Sequence, residues 1–411
     1  MGILDIPNEL LLLVGENLSI LDLYNFLSTC HRLSILLTPH LQNRVVQDKG
    51  ATAVLQWAVE RGNVPIAKLA ISLSAKINKL YEVEYDHERA TLGYLRRTPL
   101  HSAAFYGNSD LINILFKHGA RINTQDPDDE TPLHLAALHG GPEATRALLK
   151  LGADMTYRNN QKEMPAHLAA RGSVGCMEAF IDAGFDLNTQ GPYRGTVLHI
   201  AVHHTSLEMV EYLLGKKEVK MAINAPDCVG YTPLHLAVLN SKIVKLLLHH
   251  GANMEVQDQY GRTPAHRAVC SGIQGLDPES LRTFIDAGFN PSTKTKYGQT
   301  VLHYAAEFCN EKKVMEYLLK QPGVTINAQD ANGMTPLSWA ANRRLGPERE
   351  WMISLLERCG ADRGIKDIWG VTTDLKIRRA VTHIQNQNDH DRGWYSHWDG
   401  KCYRYWDDYQ W

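Results

Sequence analysis

A four-residue motif recurs eight times along the chain, and its regular spacing constrains the fold more than any other feature. Its most regular form is Thr-Pro-Leu-His, and the eight copies begin at Thr98, Thr131, Met164, Thr196, Thr232, Thr263, Thr300 and Thr335. The intervals between successive copies lie between 31 and 37 residues. A period of this length predicts a stack of similar small units, each of which contacts mainly its neighbours.

Other residues recur with the same period as the motif, and together they predict a pair of short helices in each repeat. Proline suits the first turn of a helix, where its missing N–H would have no partner. An alanine follows the histidine position by two residues in every copy: Ala103, Ala136, Ala169, Ala201, Ala237, Ala268, Ala305 and Ala340. These small side chains would let two short helices pack closely, and a glycine such as Gly152 or Gly251 would end the second helix. Turns such as Asp258 to Gly261, which precede each motif, would project sideways as fingers.

This pattern resembles the ankyrin repeat, whose Thr-Pro-Leu-His-x-Ala signature and period of 33 residues it matches across most of the chain. The resemblance implies an all-α fold, a solenoid of about nine repeats. We expect a degenerate repeat with an insertion at 47–92, followed by the regular solenoid with its C-terminal cap at 93–380. The insertion, around residues 74–91, is interpreted as a surface loop or an extended connection.

The first 46 residues carry no copy of the motif and follow a different pattern. They contain Ile6-Pro7-Asn8-Glu9-Leu10, Asp22-Leu23, Cys30 three residues before Leu33, and Pro39 two residues before Leu41. Apolar residues fall between them at spacings of three and four, which indicates helices. The ordered set resembles the F-box, a three-helix element, with Ile6 where leucine is usual and Val14 where isoleucine is usual.

The F-box resemblance implies a function for residues 1–46. F-box proteins dock the Skp-type adaptor of a cullin ubiquitin ligase, and a downstream repeat array holds the substrate. Carried over to this sequence, the adaptor-binding face would comprise Pro7, Leu10, Val14, Leu23, Phe26 and Leu33. The chain as a whole then resembles a fungal-type F-box/ankyrin protein. The alternative is that residues 1–46 are only a helical cap on the first repeat.

A repeat solenoid offers its partners an extended surface made of fingers and neighbouring helices. The tip of each finger lies three residues before the motif, and four of the eight later tips are aromatic: Tyr193, Tyr260, Tyr297 and Trp369. Aromatic side chains are the residues that most often dominate binding energy, so these four are candidates for a partner-binding ridge. Alternatively, the tips pack on neighbouring fingers and bind nothing.

The last part of the chain, 381–411, is rich in aromatic residues and lacks the repeat motif. It contains four of the eight tryptophans, and Asp399-Gly400 lies between two aromatic-rich runs. Because Asp-Gly favours the tight turns of β-hairpins, we predict a small hairpin here. An isolated hairpin is marginally stable, so it would dock on the last repeats or in their groove. It could instead be a tail that binds a partner.

The residues expected of an enzyme or a metal site are missing from the pattern. Seven of the 19 histidines occupy the motif position, each in a different repeat, and are expected to be hydrogen-bonded turn residues that connect fingers. No phosphate-binding glycine loop, nucleophile elbow or common zinc spacing occurs. The seven cysteines are scattered singly, which is typical of reduced, mostly buried thiols. The sequence predicts a protein without catalytic residues, cofactor or metal.

Charge and hydropathy narrow the class of partner. Lys and Arg number 43 against 45 Asp and Glu, which provides no overall positive field for a nucleic acid. The N-terminal apolar stretch is too short to span a membrane. We therefore expect protein partners, no nucleic acid and no membrane, and a cytoplasmic or nuclear location. The leading hypothesis is a substrate receptor of a ubiquitin ligase whose ankyrin groove holds an unknown target; the alternative is an ankyrin scaffold or transcription coregulator.

Overall fold

The computed structural model of the protein describes residues 51–83, 95–269, 278–343 and 347–378. The predicted F-box-like element at 1–46 and the aromatic tail at 381–411 lie outside the described residues. The chain divides into two compact units with the boundary between Pro192 and Tyr193. Each unit is described by itself.

The first unit consists of helix pairs, with one short strand pair. Its α-helices are α1 Ala51–Glu60, α2 Val64–Ser72, α3 Pro99–Phe105, α4 Ser109–Lys117, α5 Pro132–Leu135, α6 Gly141–Lys150, α7 Pro165–Ala169 and α8 Val174–Asp182. A π-helical turn, Ala136–Gly140, continues α5. The two helices of each repeat pack against each other, as α1 does with α2 and α3 with α4.

The second unit repeats the same pairing. Its α-helices are α9 Val197–His203, α10 Leu207–Leu214, α11 Lys217–Met221, α12 Pro233–Leu236, α13 Ser241–His249, α14 Pro264–Arg267, α15 Pro278–Asp286, α16 Val301–Phe308, α17 Lys312–Leu319, α18 Pro336–Ala341 and α19 Pro347–Arg358. Short 3₁₀ turns occur at Pro192–Arg194 and Ala237–Leu239. Residues 373–378 are also helical.

The recurring alanines lie in the core between the helices, as their periodicity predicts. All eight are at most 1% exposed. A larger side chain at these positions would force the helices of one repeat apart, because protein interiors are close-packed. Leucines on the second helices, such as Leu148 and Leu247, are fully buried and complete this core. The described part is thus a helix-dominated ankyrin-repeat solenoid.

A two-stranded antiparallel sheet flanks the predicted insertion. Strands β1 Tyr81–Val83 and β2 Leu95–Arg97 pair with Tyr81 opposite Arg97. The sequence predicts only a loop or an extended connection here. The strand pair places Val83 opposite Leu95, and β2 leads directly into the motif at Thr98.

Candidate protein-binding surface

Most of the described fingers are tight turns that an aspartate side chain closes, while Asn159 and Thr295 take its place in two others. In the finger before α14, Asp258 Oδ1 accepts hydrogen bonds from the N–H groups of Tyr260 and Arg262, both at 2.8 Å. The Asp258 N–H in turn donates to the carbonyl oxygen of Arg262 at 2.9 Å. The same side-chain pattern holds at four other aspartates: Asp126, Asp227, Asp330 and Asp367. The aspartate satisfies donors that the turn would otherwise leave open.

The motif itself forms a clamp between consecutive repeats. At the start of α12, the Thr232 N–H donates to Nδ1 of His235 at 3.1 Å, while Nε2 of His235 lies 3.0 Å from the carbonyl oxygen of Arg262 in the next repeat. Because Nδ1 accepts, the proton must reside on Nε2, which donates. Histidine thus takes the place that Glu or Gln holds in an ordinary capping box.

Six of the motif histidines form the clamp bond to a backbone carbonyl in the direction of the next repeat: His101, His134, His167, His199, His235 and His303. The prediction that these histidines connect the fingers is confirmed. In the last copy of the motif, the shorter Ser338 forms a hydroxyl contact with Thr373 instead, at 2.5 Å.

Burial holds the motif histidines in the neutral form. It lowers the pKa of His101 to about 4 and that of His235 to about 3. The other motif histidines show the same direction from the same first cause. In the six that form the clamp bond, both ring nitrogens take part in hydrogen bonds, which leaves no position for general base catalysis or for a metal.

The finger tips form a hydrogen-bonded ladder in the second unit. The carbonyl oxygen of each tip accepts from a backbone N–H of the following finger, as Tyr297 does from Ala331 at 2.8 Å and Tyr260 from Lys296 at 3.3 Å. Tyr193, Val229 and Asn332 accept in the same way. One edge of the second unit therefore carries its tips in order: Tyr193, Val229, Tyr260, Tyr297, Asn332 and Trp369.

The four predicted aromatic tips differ in how much of them a partner could reach. Trp369 is 65% exposed and Tyr297 is 47% exposed, whereas Tyr193 and Tyr260 are half-buried. Tyr260 lies against the guanidinium of Arg262, with 4.8 Å from Cζ to the ring centroid. Tyr193 has a backbone φ of 52°, a conformation that is costly for a bulky residue. Their partner-binding role stays a prediction.

At the bases of the fingers in the first unit, arginine side chains form ion pairs with buried carboxylates. Arg97 Nε lies 3.3 Å from Asp126 Oδ2, and its Nη2 lies 3.4 Å from Glu130 Oε2. One repeat further, Nη2 of Arg171 donates to both carboxylate oxygens of Glu163 at 3.0 and 2.9 Å. Burial raises the pKa of Glu130 to about 7 and also raises that of Glu163.

The corresponding positions of the second unit contain an arginine and tyrosine cluster. Arg262 is 3% exposed; its Nε donates to Asp258 Oδ2 at 2.7 Å and its Nη2 to the Tyr231 hydroxyl at 2.8 Å. A second guanidinium, that of Arg267, lies over the Tyr231 ring at 4.2 Å from the centroid. Tyr231 also stacks on His235 at 5.6 Å. Burial works against the charge of Arg262, but Tyr231 and Asp258 together raise its pKa.

Sequence reasoning missed these finger-base residues, although a signal was present. Five of them occupy the position directly before the motif, which in successive repeats is Arg97, Glu130, Glu163, Gly195, Tyr231, Arg262, Gln299 and Met334. Charged or aromatic residues at a position next to the core motif indicate buried pairs, since ions are rarely buried without partners. Aligning that column alongside the tips would have identified Tyr231 and Arg262 as neighbours, but not Asp258 or Arg267.

Other features limit the chemistry that the described residues can perform. None of the described His, Cys, Asp and Glu side chains gather in groups of three or more that could hold a metal ion. The expectation of mostly buried cysteines is wrong for two of the four described thiols, because Cys228 and Cys359 are exposed while Cys176 and Cys309 are buried. No helix in the described part of the chain is long and apolar enough to cross a membrane.

A solenoid of helix pairs with a ladder of projecting fingers defines a repeat protein of the protein-binding class. The model of the family described as "Ankyrin repeats (3 copies)" matches this sequence at residues 23–126, 77–159, 133–227, 166–258, 198–276 and 273–367. The chain therefore belongs to the ankyrin-repeat family. It is an ankyrin-repeat protein-interaction module.

Relatives match the repeat region only in part. The B-cell lymphoma 3 protein homolog of Mus musculus is 32% identical over 202 residues, which is 47% of this chain and 42% of that protein. The probable 26S proteasome regulatory subunit p28 of Saccharomyces cerevisiae is 29% identical over 189 residues, 45% of this chain and 79% of that protein. The crystal structure of the ankyrin repeat domain of Bcl-3 has a TM-score of 0.46 at 30% identity, covering 55% of this chain and 99% of that domain. This chain thus spans less than half the length of the mouse relative.

Proposed function

We propose that this protein is the substrate receptor of a cullin ubiquitin ligase, which binds a Skp-type adaptor through residues 1–46 and holds its target on the ankyrin surface. The chain makes and breaks no bonds itself. It acts by proximity, because a tethered target reacts at a much higher effective concentration than a free one.

The observation that carries this proposal is the ordered N-terminal pattern of Pro7, Leu10, Asp22-Leu23 and Cys30 in front of a repeat array. The array supplies the second requirement, a long surface of exposed finger tips such as Tyr297 and Trp369. A relative that is 29% identical over 189 residues is named as a probable 26S proteasome regulatory subunit, which supports the proposal.

A second candidate function rests on a specific observation. The first ankyrin match begins at residue 23, inside the segment that resembles an F-box. This overlap favours residues 23–46 as part of the repeat array, in which case the N-terminal helices cap the solenoid. The protein would then be a scaffold or a transcription coregulator without a ubiquitin role.

Co-expression with a Skp-type adaptor separates the two candidates. We expect the full chain to co-purify with the adaptor, and a Leu10→Asp, Leu23→Asp double variant of the full chain to lose it. A matched double variant at exposed finger tips, Tyr297→Asp with Trp369→Asp, should retain the adaptor. If the unmodified chain fails to bind, the ligase proposal is wrong and the scaffold candidate replaces it.

A further inference from the structure

Two consecutive fingers of the second unit, together with helix α14 that follows the first of them, carry an excess of positive charge. Segments 257–267 and 293–299 contain four cations, Arg262, Arg267, Lys294 and Lys296, but a single carboxylate, that of Asp258. Asp258 is 3% exposed and is fully engaged with Arg262 and the turn. The charges of the other three cations are therefore not neutralised within these segments.

Arg267 is placed to receive a ligand. It ends α14, four residues after Thr263, and its guanidinium lies over Tyr231. Its Nε is buried without a hydrogen-bond partner, and it forms no ion pair with any residue that the structure describes. Its two terminal nitrogens are neither buried nor bonded to a described residue, so they remain open to a partner.

Rigid neighbours fix the position of this guanidinium. Tyr231 is 1% exposed and is held by the Arg262 bond at 2.8 Å and by the stacked His235 ring. The two lysines lie on the adjacent finger: Lys296 Nζ donates to the Gln259 carbonyl at 2.6 Å, and Lys294 Nζ lies 3.4 Å from the Gln329 carbonyl. A stacked arginine with a free terminal edge is preorganised to bind a carboxylate with two parallel hydrogen bonds.

From this geometry we infer that the second unit binds an acidic segment of a protein partner, with one Asp or Glu side chain seated on the terminal nitrogens of Arg267. Lys294 and Lys296 attract further acidic residues of the same segment, and the exposed ring of Tyr297, which follows Lys296, contacts an apolar residue beside them. This inference deepens the proposed function, since it names the chemistry of the target that the ankyrin surface holds.

Carboxylate specificity can be measured without knowing the partner. Random linear peptides displayed on phage are selected on the full chain, and we expect an Asp or Glu to be enriched at one position. The consensus peptide and its Asn or Gln counterpart are then titrated against the full chain and against Arg267→Gln. A charge-assisted hydrogen bond contributes about 1.5–3 kcal/mol, so each single change should weaken binding roughly ten- to a hundredfold.

The double-mutant cycle distinguishes a direct contact from a structural disturbance. If Arg267 binds the carboxylate, the amide peptide loses little further affinity on the Arg267→Gln chain, so that the two changes are coupled at least about tenfold. Arg282→Gln is the matched control, because Arg282 lies in the same repeat on α15 with 57% of its side chain exposed. It should leave the affinity unchanged. Arg267→Lys keeps the charge but not the planar edge and should give an intermediate affinity.

Three results would overturn the inference: enriched peptides without a fixed carboxylate, a coupling factor near one, or equal losses for Arg267→Gln and Arg282→Gln. The adaptor does not take part in this titration. Failure of the ligase proposal would appear only in co-purification through residues 1–46, and failure of the acidic-segment proposal would appear only here.

Discussion

The finger bases of the two units share one backbone framework and differ in charge. Both units use the same threonine–histidine clamp, as at His101 in the first and His235 in the second. In the first unit the finger at 125–130 carries four acidic residues, and Arg97 pairs with two of them. In the second unit the finger at 257–262 is neutral, with one Asp and one Arg, and the finger at 293–299 carries two lysines and no acidic residue.

The difference teaches which positions stabilise the repeat and which are free to specify a partner. The clamp connects backbone groups of consecutive repeats, so its requirements are the same everywhere. The side chain of the residue before the motif and the side chain of the finger tip take no part in these clamp bonds, so their charge can vary without loss of the clamp. The following predictions test first the shared framework and then the difference.

The largest expected effect is acid destabilisation of both units together. Seven motif histidines have a folded pKa of about 4 or about 3, below the value of about 6.5 in the unfolded chain. Between these values the unfolded state binds more protons, so stability falls as the pH falls from about 6.5 toward 4. Each histidine contributes up to about 1.4 kcal/mol per pH unit.

Buried glutamates oppose this trend only in part. The pKa values of Glu130 and Glu307 are raised to about 7, and that of Glu163 is raised as well, so the folded state gains their protons first and is favoured as the pH falls through that range. Because the histidines outnumber them, the net effect is a loss. Urea unfolding at a series of pH values should show the midpoint dropping steeply below pH 6. A flat profile between pH 6.5 and 5 would contradict the neutral clamp.

Single clamp histidines should matter equally in the two units. His101→Ala and His235→Ala each remove a fully buried ring and leave a threonine N–H and a carbonyl of the next repeat unpaired. We expect each to lower the free energy of unfolding by about 3 kcal/mol. Urea denaturation would measure this, with His249→Ala, at an exposed position, as the control near zero. A large inequality between His101 and His235 would show that the framework is not shared.

Neutralising one buried carboxylate in each unit should expose their difference. Asp258→Asn keeps the Oδ1 acceptor of the turn but leaves the buried Arg262 with only the Tyr231 hydroxyl, so we expect a loss of about 2 kcal/mol. Glu163→Gln should cost less, about 1 kcal/mol, since burial already disfavours the charged form of Glu163. Both values come from urea denaturation at pH 7. The reverse order would refute this account of the two finger bases.

The finger ladder predicts a smaller effect that depends on close backbone approach. Gly298 has φ of 76°, and a Cβ there would lie 3.0 Å from the Ala331 nitrogen, whose N–H donates to Tyr297. Gly298→Ala should therefore cost about 1–2 kcal/mol. Gly288→Ala is the control, because Gly288 has φ of 92° with nothing near its Cβ position. If thermal unfolding shows equal shifts for both variants, the ladder contact contributes nothing.

Sequence reasoning anticipated the parts of the fold that recur and missed the parts that depend on a single repeat. The buried alanines follow from a position that every copy repeats, and the clamp histidines from a position that seven of the eight copies repeat. The β1–β2 pair does not recur, and its three-residue strands carry no alternation strong enough to detect. The Arg262–Tyr231 bond joins residues 31 positions apart. Such a contact becomes visible only when consecutive repeats are stacked, because each partner looks like an ordinary surface residue in its own repeat.

The smallest effect on stability is expected at the exposed tips. This prediction separates the residues that stabilise the repeats from those that would bind a partner. Tyr297→Ser and Trp369→Ser each replace a ring that is at least 47% exposed, while the backbone groups of both fingers keep their hydrogen bonds. The free energy of unfolding should change by less than about 0.5 kcal/mol. Peptide affinity should nevertheless fall for Tyr297→Ser, which lies beside Lys296, and not for Trp369→Ser, which lies two fingers away. If both variants lowered stability as much as Gly298→Ala, the tips would belong to the framework, and an exposed aromatic ring could no longer be taken as a sign of a binding site.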